Sequence, residues 1–262
     1  MPWDSTELRV TDVYDAKSNV SSDHKLIAGE DGDTSVIQPT YDQGGRLYYI
    51  SDKSGYYNIY RAGFEESILP MDADFGGSAP GWQLGQQGFT FIPGEDGRLV
   101  AQYNKDGRSV LLTADVSDGT AQATDVKEYS GEEDGLPMMF GGAVAGDNGD
   151  LYFMGGSPST PTSIYKWNIE SKEKATILAC SSSLTFPDEV ISVPKQVEFP
   201  TTLGSAFGYY YAPKNENYKC TTDKAPPLLV KAHGGPTACT GSSFNAAIQV
   251  RKQLKRLALS VF

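Results

Sequence analysis

The chain has 262 residues and carries 33 acidic against 22 basic side chains, a formal charge of −11. A net field of that sign repels phosphate, so nucleic acid and anionic membranes are excluded as expected partners. Its 28 glycines and 15 tyrosines, with 39% hydrophobic residues, point to many short strands and turns.

Cys180, Cys220 and Cys239 are odd in number, widely spaced and free of any C-x-x-C, so neither a disulfide framework nor a zinc site is expected. No other metal and no cofactor is expected. The opening Met1-Pro2-Trp3-Asp4 has neither the basic segment nor the apolar stretch of a secretory signal. No run approaches the ~18 apolar residues that span a bilayer. The expectation is a soluble, cytoplasmic chain.

In chain order, three segments align at a fixed spacing: Arg46-Leu47-Tyr48-Tyr49-Ile50, Arg98-Leu99-Val100-Ala101-Gln102 and Asp150-Leu151-Tyr152-Phe153-Met154. Their leucines lie 52 residues apart both times, and each segment follows a glycine turn. A second strand follows each: Tyr57–Arg61, Ser109–Leu112 and Ser163–Trp167, separated from the first by turn-forming residues. Glu7–Val13 resembles a further copy of that second strand, with Leu8 placed 51 residues before Ile59. Antiparallel strands repeating near 50 residues are the mark of β-propeller blades. The competing reading is a meandering β-sandwich with accidental spacing. Three blades and a fragment fall short of the ~4 to 8 that close a ring, so upstream blades are expected to be missing.

Polar connections in this region carry charge. Glu65-Glu66 and Glu132-Glu133 could form an amine-binding site, but solvated turns are the plainer reading of such charge runs. Asp31-Gly32-Asp33 and Asp147–Asp150 look like calcium loops without the remaining ligands, and hairpin turns are expected there.

After Ser181–Asp188, which has no strand pattern, the character changes. Pro194–Pro200 and Ala206–Pro213 flank Thr201-Thr202-Leu203-Gly204 as a hairpin. Pro226-Pro227 then leads into Leu228-Leu229-Val230, whose lack of polar alternation predicts a strand covered on both faces. Directly beyond it come Lys231-Ala232-His233-Gly234-Gly235-Pro236-Thr237, a strand running into a glycine pair. In α/β-hydrolases a loop of this type after the third strand supplies part of the oxyanion hole. The expected fold class is therefore mainly β: a partial β-propeller of about three blades plus a fragment (1–187), then the first strands of an α/β-hydrolase domain (188–262).

Taken in order, these stretches resemble the prolyl oligopeptidase family of serine peptidases, in its acylaminoacyl-peptidase or dipeptidyl aminopeptidase branch. The resemblance rests on Met1–Asp4 ahead of Glu7-Leu8, Gln38-Pro39 with Leu47–Asp52, and Asn58–Arg61. It continues through Phe75-Gly76-Gly77, Gly155–Pro158, Ile191–Pro194 with Glu198–Pro200, and Pro226–Val230 with His233–Thr237. It implies a propeller capping a catalytic domain and admitting short peptides or acylated peptide ends. It also implies a serine nucleophile, a histidine base, an orienting aspartate and an oxyanion loop at His233, Gly234, Gly235 and Pro236.

The triad itself is absent from the sequence. No G-x-S-x-G occurs, and beyond Pro236 there is no Asp, Glu or His, so Ser242, Ser243 and Ser260 have no base in their own region. His24 lies in a polar connection and is expected to be solvated. After Ile248-Gln249 the family pattern breaks: the rest of a helix and then a buried strand are expected. Val250–Phe262 instead matches either a helical face or an alternating strand, as a shifted reading frame, a retained intron or a truncated gene model would produce. The chain is expected to be inactive by itself; the alternative is a non-catalytic propeller module for binding or interaction.

Overall fold

The computed structural model describes residues 4–15, 19–20, 24–76, 87–116, 121–171, 173–184, 186–214, 227–234, 240–249 and 258–261. The described chain is almost entirely strand, arranged as a series of separate antiparallel sheets, none of them closed on itself. The first pieces are two ribbons, β1 (Leu8–Val10) with β4 (Lys25–Ala28), and β2 (Val13–Asp15) with β3 (Asn19–Val20).

Three sheets with one plan follow. The first is β5 (Val36–Tyr41), β6 (Leu47–Ser51) and β7 (Asn58–Arg61), with a fourth edge reduced to a bridge between Tyr60 and Ser67. The second is β8 (Phe89–Phe91), β9 (Arg98–Lys105), β10 (Arg108–Asp115) and β11 (Thr124–Tyr129). The third is β12 (Met139–Ala145), β13 (Asp150–Gly156), β14 (Ser163–Asn168) and β15 (Thr176–Cys180). Every sheet is a meander, each strand pairing with the one before it. Leu47, Leu99 and Leu151 all fall on the second strand and are all buried, so the spacing of 52 read from the sequence is the spacing of these sheets. The predicted second strands of the repeat are β7, β10 and β14.

The sheets stack face against face. Tyr48, Ile50 and Ile59 of the first pack with Phe89, Leu99, Ala101 and Leu112 of the second. Val100, Leu111 and Tyr129, on the opposite face of the second, pack with Leu151, Phe153, Tyr165 and Trp167 of the third. Leu8 and Val10 with Ile27 and Ala28 cover Leu47, Tyr49 and Tyr60, as a further copy of the repeat would. Side-chain amides tie neighbouring first strands together: Gln38 Nε2 donates to Phe89 O at 2.8 Å, and Gly88 N donates to Gln38 Oε1 at 2.6 Å. Gln38 sits in a bulge at φ 51°, the left-handed region, and Gly142 occupies the matching bulge of β12 at φ 67°. There a side chain would be strained, which suits glycine.

The last sheet has strand order β16 (Lys195–Thr201), β17 (Gly204–Tyr211), β19 (Ala258–Val261), β18 (Leu228–Lys231). The predicted hairpin is β16 and β17, turning at Thr202-Leu203. β18 and β19 run parallel, with helical residues 246–249 between them in sequence. Two expectations change. The tail forms the strand that the sequence pattern left open, inserted between β17 and β18. And Leu228-Leu229-Val230 is a strand but is covered on one face only: Leu229 is half-buried against Tyr211 and Ile248, while Leu228 is 60% and Val230 54% exposed, with nothing packed on their face among the described residues.

Candidate functional site

The terminal sheet meets the repeat sheets at one end. Tyr209 Oη donates to Gly107 O at 3.2 Å, Phe244 N donates to Ser157 O at 2.8 Å, and the Ser242 hydroxyl lies 3.1 Å from Met138 Sδ. The segment leading into β16 is locked to residues 246–249 by Gln249, whose side chain accepts from Ser192 N at 2.9 Å and donates to Ser192 O at 3.1 Å. Both residues are buried, so this two-way amide clasp works where water cannot compete.

The glycine loop leaves the carboxyl end of β18. His233 and Gly234 are exposed, His233 Nδ1 lies 3.3 Å from Gly234 O, and a side chain at Gly234 would meet nothing within 4 Å. The backbone at His233 and Gly234 is thus open to solvent. Gly235 and Pro236 lie outside the described residues. Because β18 and β19 are parallel, their carboxyl ends coincide at Lys231 and Val261, the edge of an open sheet at which α/β folds bind their ligands.

A cavity of about 760 Å³ opens beside the third sheet, and Val193, just ahead of β16, forms part of its wall. Its charged lining is Arg108, Glu132, Glu133 and Lys174, over an apolar floor that includes Leu136. The acidic pair sits on a 3-10 turn, Glu132–Asp134. Asp134 fixes that turn: its carboxylate accepts from Ser130 N at 2.7 Å, and its carbonyl accepts from Trp167 Nε1 at 3.1 Å. Gly131 enters the turn at φ 67°, and a side chain there would collide with the Glu133 carboxylate. Tyr165 also faces the cavity, its phenol pushed above the usual tyrosine range by burial. Such a chamber can hold a small charged molecule with an apolar part. Sequence reasoning took Glu132-Glu133 as a solvated turn; both are exposed, but the chamber wall beside them comes from residues distant in sequence and left no local signal.

The other candidates are structural. Asp31 accepts from Asp33 N at 3.2 Å and from the Thr34 hydroxyl at 2.8 Å, and the Thr34 bond most of all holds its carboxyl below the usual range. That is a turn that closes on itself. Asp150 pairs with Lys166 at 2.7 Å. Among the described residues no group of three or more His, Cys, Asp or Glu is placed to hold a metal ion. Glu65-Glu66 and His24 are exposed, as expected. Cys180 is exposed, its thiol lowered by the Ser163 hydroxyl and by backbone amides, while Cys220 and Cys239 lie outside the described residues. Also among the described residues, no helix is long and apolar enough to cross a membrane.

No family model and no curated protein matches the sequence. The fold does match solved structures. All of this chain superposes on a puromycin-hydrolysing peptidase of Mycobacterium tuberculosis, with a TM-score of 0.79 at 23% identity. It superposes equally on a puromycin hydrolase, with a TM-score of 0.81 at 18% identity, and on a mutant of that hydrolase complexed with PGG. The fold is that of these peptidases. The chain spans 37% of the length of each. A weaker likeness, TM-score 0.52 at 16% identity, joins it to a prolyl endopeptidase.

Proposed function

We propose that this chain is the junction of a serine peptidase of the prolyl oligopeptidase type, with part of a β-propeller over residues 1–187 and the opening of an α/β-hydrolase domain over 188–262. The observation that carries this reading is the run of hairpin, parallel strand, exposed glycine loop, helical residues and second parallel strand. It is the order in which a hydrolase sheet begins, and it follows three sheets of one repeat. In this reading His233, Gly234, Gly235 and Pro236 form the oxyanion loop, where backbone N–H groups stabilise the developing charge of a tetrahedral intermediate. Substrates are short peptides or peptides with acylated ends, and the chamber between the repeat sheets and Val193 is where their ends are received. The 262 residues contain no G-x-S-x-G, so the nucleophile, base and orienting acid must come from sequence beyond these residues, and the chain alone is inactive.

The test is a fluorophosphonate probe, which bonds to an activated serine. The 262-residue chain should remain unlabelled, and a product of the same gene extended through a G-x-S-x-G should label. In that extended product Gly235→Pro, which removes one backbone donor, should lower kcat by ~10²–10³. Labelling of the 262-residue chain would overturn the reading. Clean folding with no labelling of either form would favour a non-catalytic binding module.

A further inference from the structure

On each of the three repeat sheets, charged side chains are found in pairs. Arg46 meets Asp42 at 2.5 Å, Arg98 meets Asp125 at 3.0 Å, and Lys166 meets Asp150 at 2.7 Å. The chamber beside the third sheet departs from this. Arg108 and Lys174 bring two positive charges to its wall, and Glu132 and Glu133 bring two negative ones. None of the four has an ion-pair or hydrogen-bond partner among the described residues.

The backbone that carries these charges is fixed. The acidic pair stands on a turn tied to the third sheet, where Ala175 N donates to Gly135 O at 2.8 Å. Gly135, at φ 72°, lets the two segments come so close that a side chain there would lie 2.8 Å from Lys174 Cα. Glu132, Glu133 and Lys174 therefore share one frame. Arg108 opens β10, and its neighbour Ser109 is clamped by donating from N to Met138 O at 3.1 Å and from its hydroxyl to Phe140 O at 2.9 Å. Charges of both signs are thus presented to one space without neutralising each other.

A ligand that suits such a wall must carry both signs itself. A simple cation would be repelled by Arg108 and Lys174, and a simple anion by the two glutamates. We infer that the chamber is a zwitterion site for short peptides with both ends free, and that its new element is a carboxylate anchor made by Arg108 and Lys174. The arginine fork matches the two oxygens of a carboxylate, and the lysine adds a point charge. The ammonium end goes to Glu132 and Glu133, and the apolar body lies over Leu136, Tyr165 and Ile177. A space of about 760 Å³ suits a small molecule of this kind. The inference rests on the reading that peptide ends are received here, and it adds that the carboxyl end is one of them.

Titration calorimetry tests it with four forms of one dipeptide: Ala-Phe, its N-acetyl form, its C-terminal amide, and the form blocked at both ends. They are titrated into the 262-residue chain and into a product of the same gene extended through a G-x-S-x-G. Ala-Phe should bind, blocking either end should weaken it roughly tenfold, and blocking both should abolish binding. Arg108→Gln with Lys174→Gln should make Ala-Phe and its amide bind alike while the penalty for N-acetylation remains. Glu132→Gln with Glu133→Gln should do the reverse. All four side chains are exposed, so the melting temperature of both double variants should stay unchanged, and a structural role would not exchange one selectivity for the other. Equal affinity for Ala-Phe and its amide in the unaltered chain would overturn the carboxylate anchor. Absence of Ala-Phe binding to both proteins at millimolar concentration would overturn the whole site. Binding to a chain without G-x-S-x-G owes nothing to serine chemistry, and fluorophosphonate labelling owes nothing to the chamber, so either reading can fail without the other.

Discussion

Between β10 and β18 the chain contains two apolar runs of the same character, and only one of them is buried. Val110, Leu111 and Leu112 have almost no exposed surface, because the second sheet has a sheet on each side: Leu112 enters the core shared with the first and Leu111 the core shared with the third. Leu228 and Val230 lie largely in solvent, and the terminal sheet holds only a small cluster around Tyr211 and Ile248. A run of branched apolar residues is thus enough to make a strand, through the fit of such side chains to a pleated surface. It is not enough to bury one, since burial needs a second layer at about 10 Å.

The largest expected effect that separates the two regions comes from truncating their cores. Trp167→Ala removes a fully buried indole that also donates to Asp134 O, and should cost ~3–5 kcal/mol in urea unfolding. Val230→Ala should stay within about 0.5 kcal/mol, as exposed substitutions do. A loss at Val230 approaching that at Trp167 would break the comparison, for it would mean the edge strand is covered in solution.

A smaller effect tests how the terminal sheet is held. Gln249→Leu leaves Ser192 N and Ser192 O without their side-chain partners in a buried site, and should cost roughly 1–3 kcal/mol. Amide exchange in β17 should quicken while that in β9 and β10 stays slow; uniform quickening would show that the terminal sheet and the repeat sheets unfold as one.

The smallest effect is alkaline. Burial pushes the phenols of Tyr48, in the repeat sheets, and Tyr211, in the terminal sheet, up to about 12. Tyr103 is raised as well, by burial and by donating to Glu128 at 2.6 Å. A raised phenol means that folding favours the protonated form, so its contribution is intact below the ordinary tyrosine value near 10. It fades as pH climbs from there through the folded value. Absorbance at 295 nm should show these three tyrosines ionising above the ordinary tyrosine value, with stability falling between about pH 10 and 12. Early ionisation of Tyr211 alone would sharpen the contrast, by showing the terminal sheet open while the repeat sheets hold.

Much of this architecture was legible beforehand because it repeats. Leu47, Leu99 and Leu151 mark second strands through an aperiodic background, and the hairpin at Thr202-Leu203 is flanked by alternating residues on both sides. The first and fourth strands of each sheet were not legible. β5 and β12 are interrupted by bulges at Gln38 and Gly142, and β11 is mostly polar and exposed, Val126 included, up to Tyr129, so none of them shows a clean period of two. The tail was ambiguous for another reason. Ala258–Val261 satisfies both a helical and a strand pattern, and its pairing with β17 and β18, more than 40 residues away in one case and 20 in the other, is what decides.

For the site, the glycine loop after β18 was found by its composition, since a glycine pair following an apolar strand leaves backbone donors uncovered. The chamber at Glu132-Glu133 was not, because its walls come from segments between Arg108 and Val193 that share no local pattern. The sequence by itself determined the repeat, the change of character near residue 188 and the absence of a G-x-S-x-G from these 262 residues, all of which depend on residue type and short-range spacing. Only the tertiary structure decided which apolar faces are covered, where the last strand inserts and which charged turns border a cavity, because those depend on surfaces that the chain brings together over long separations.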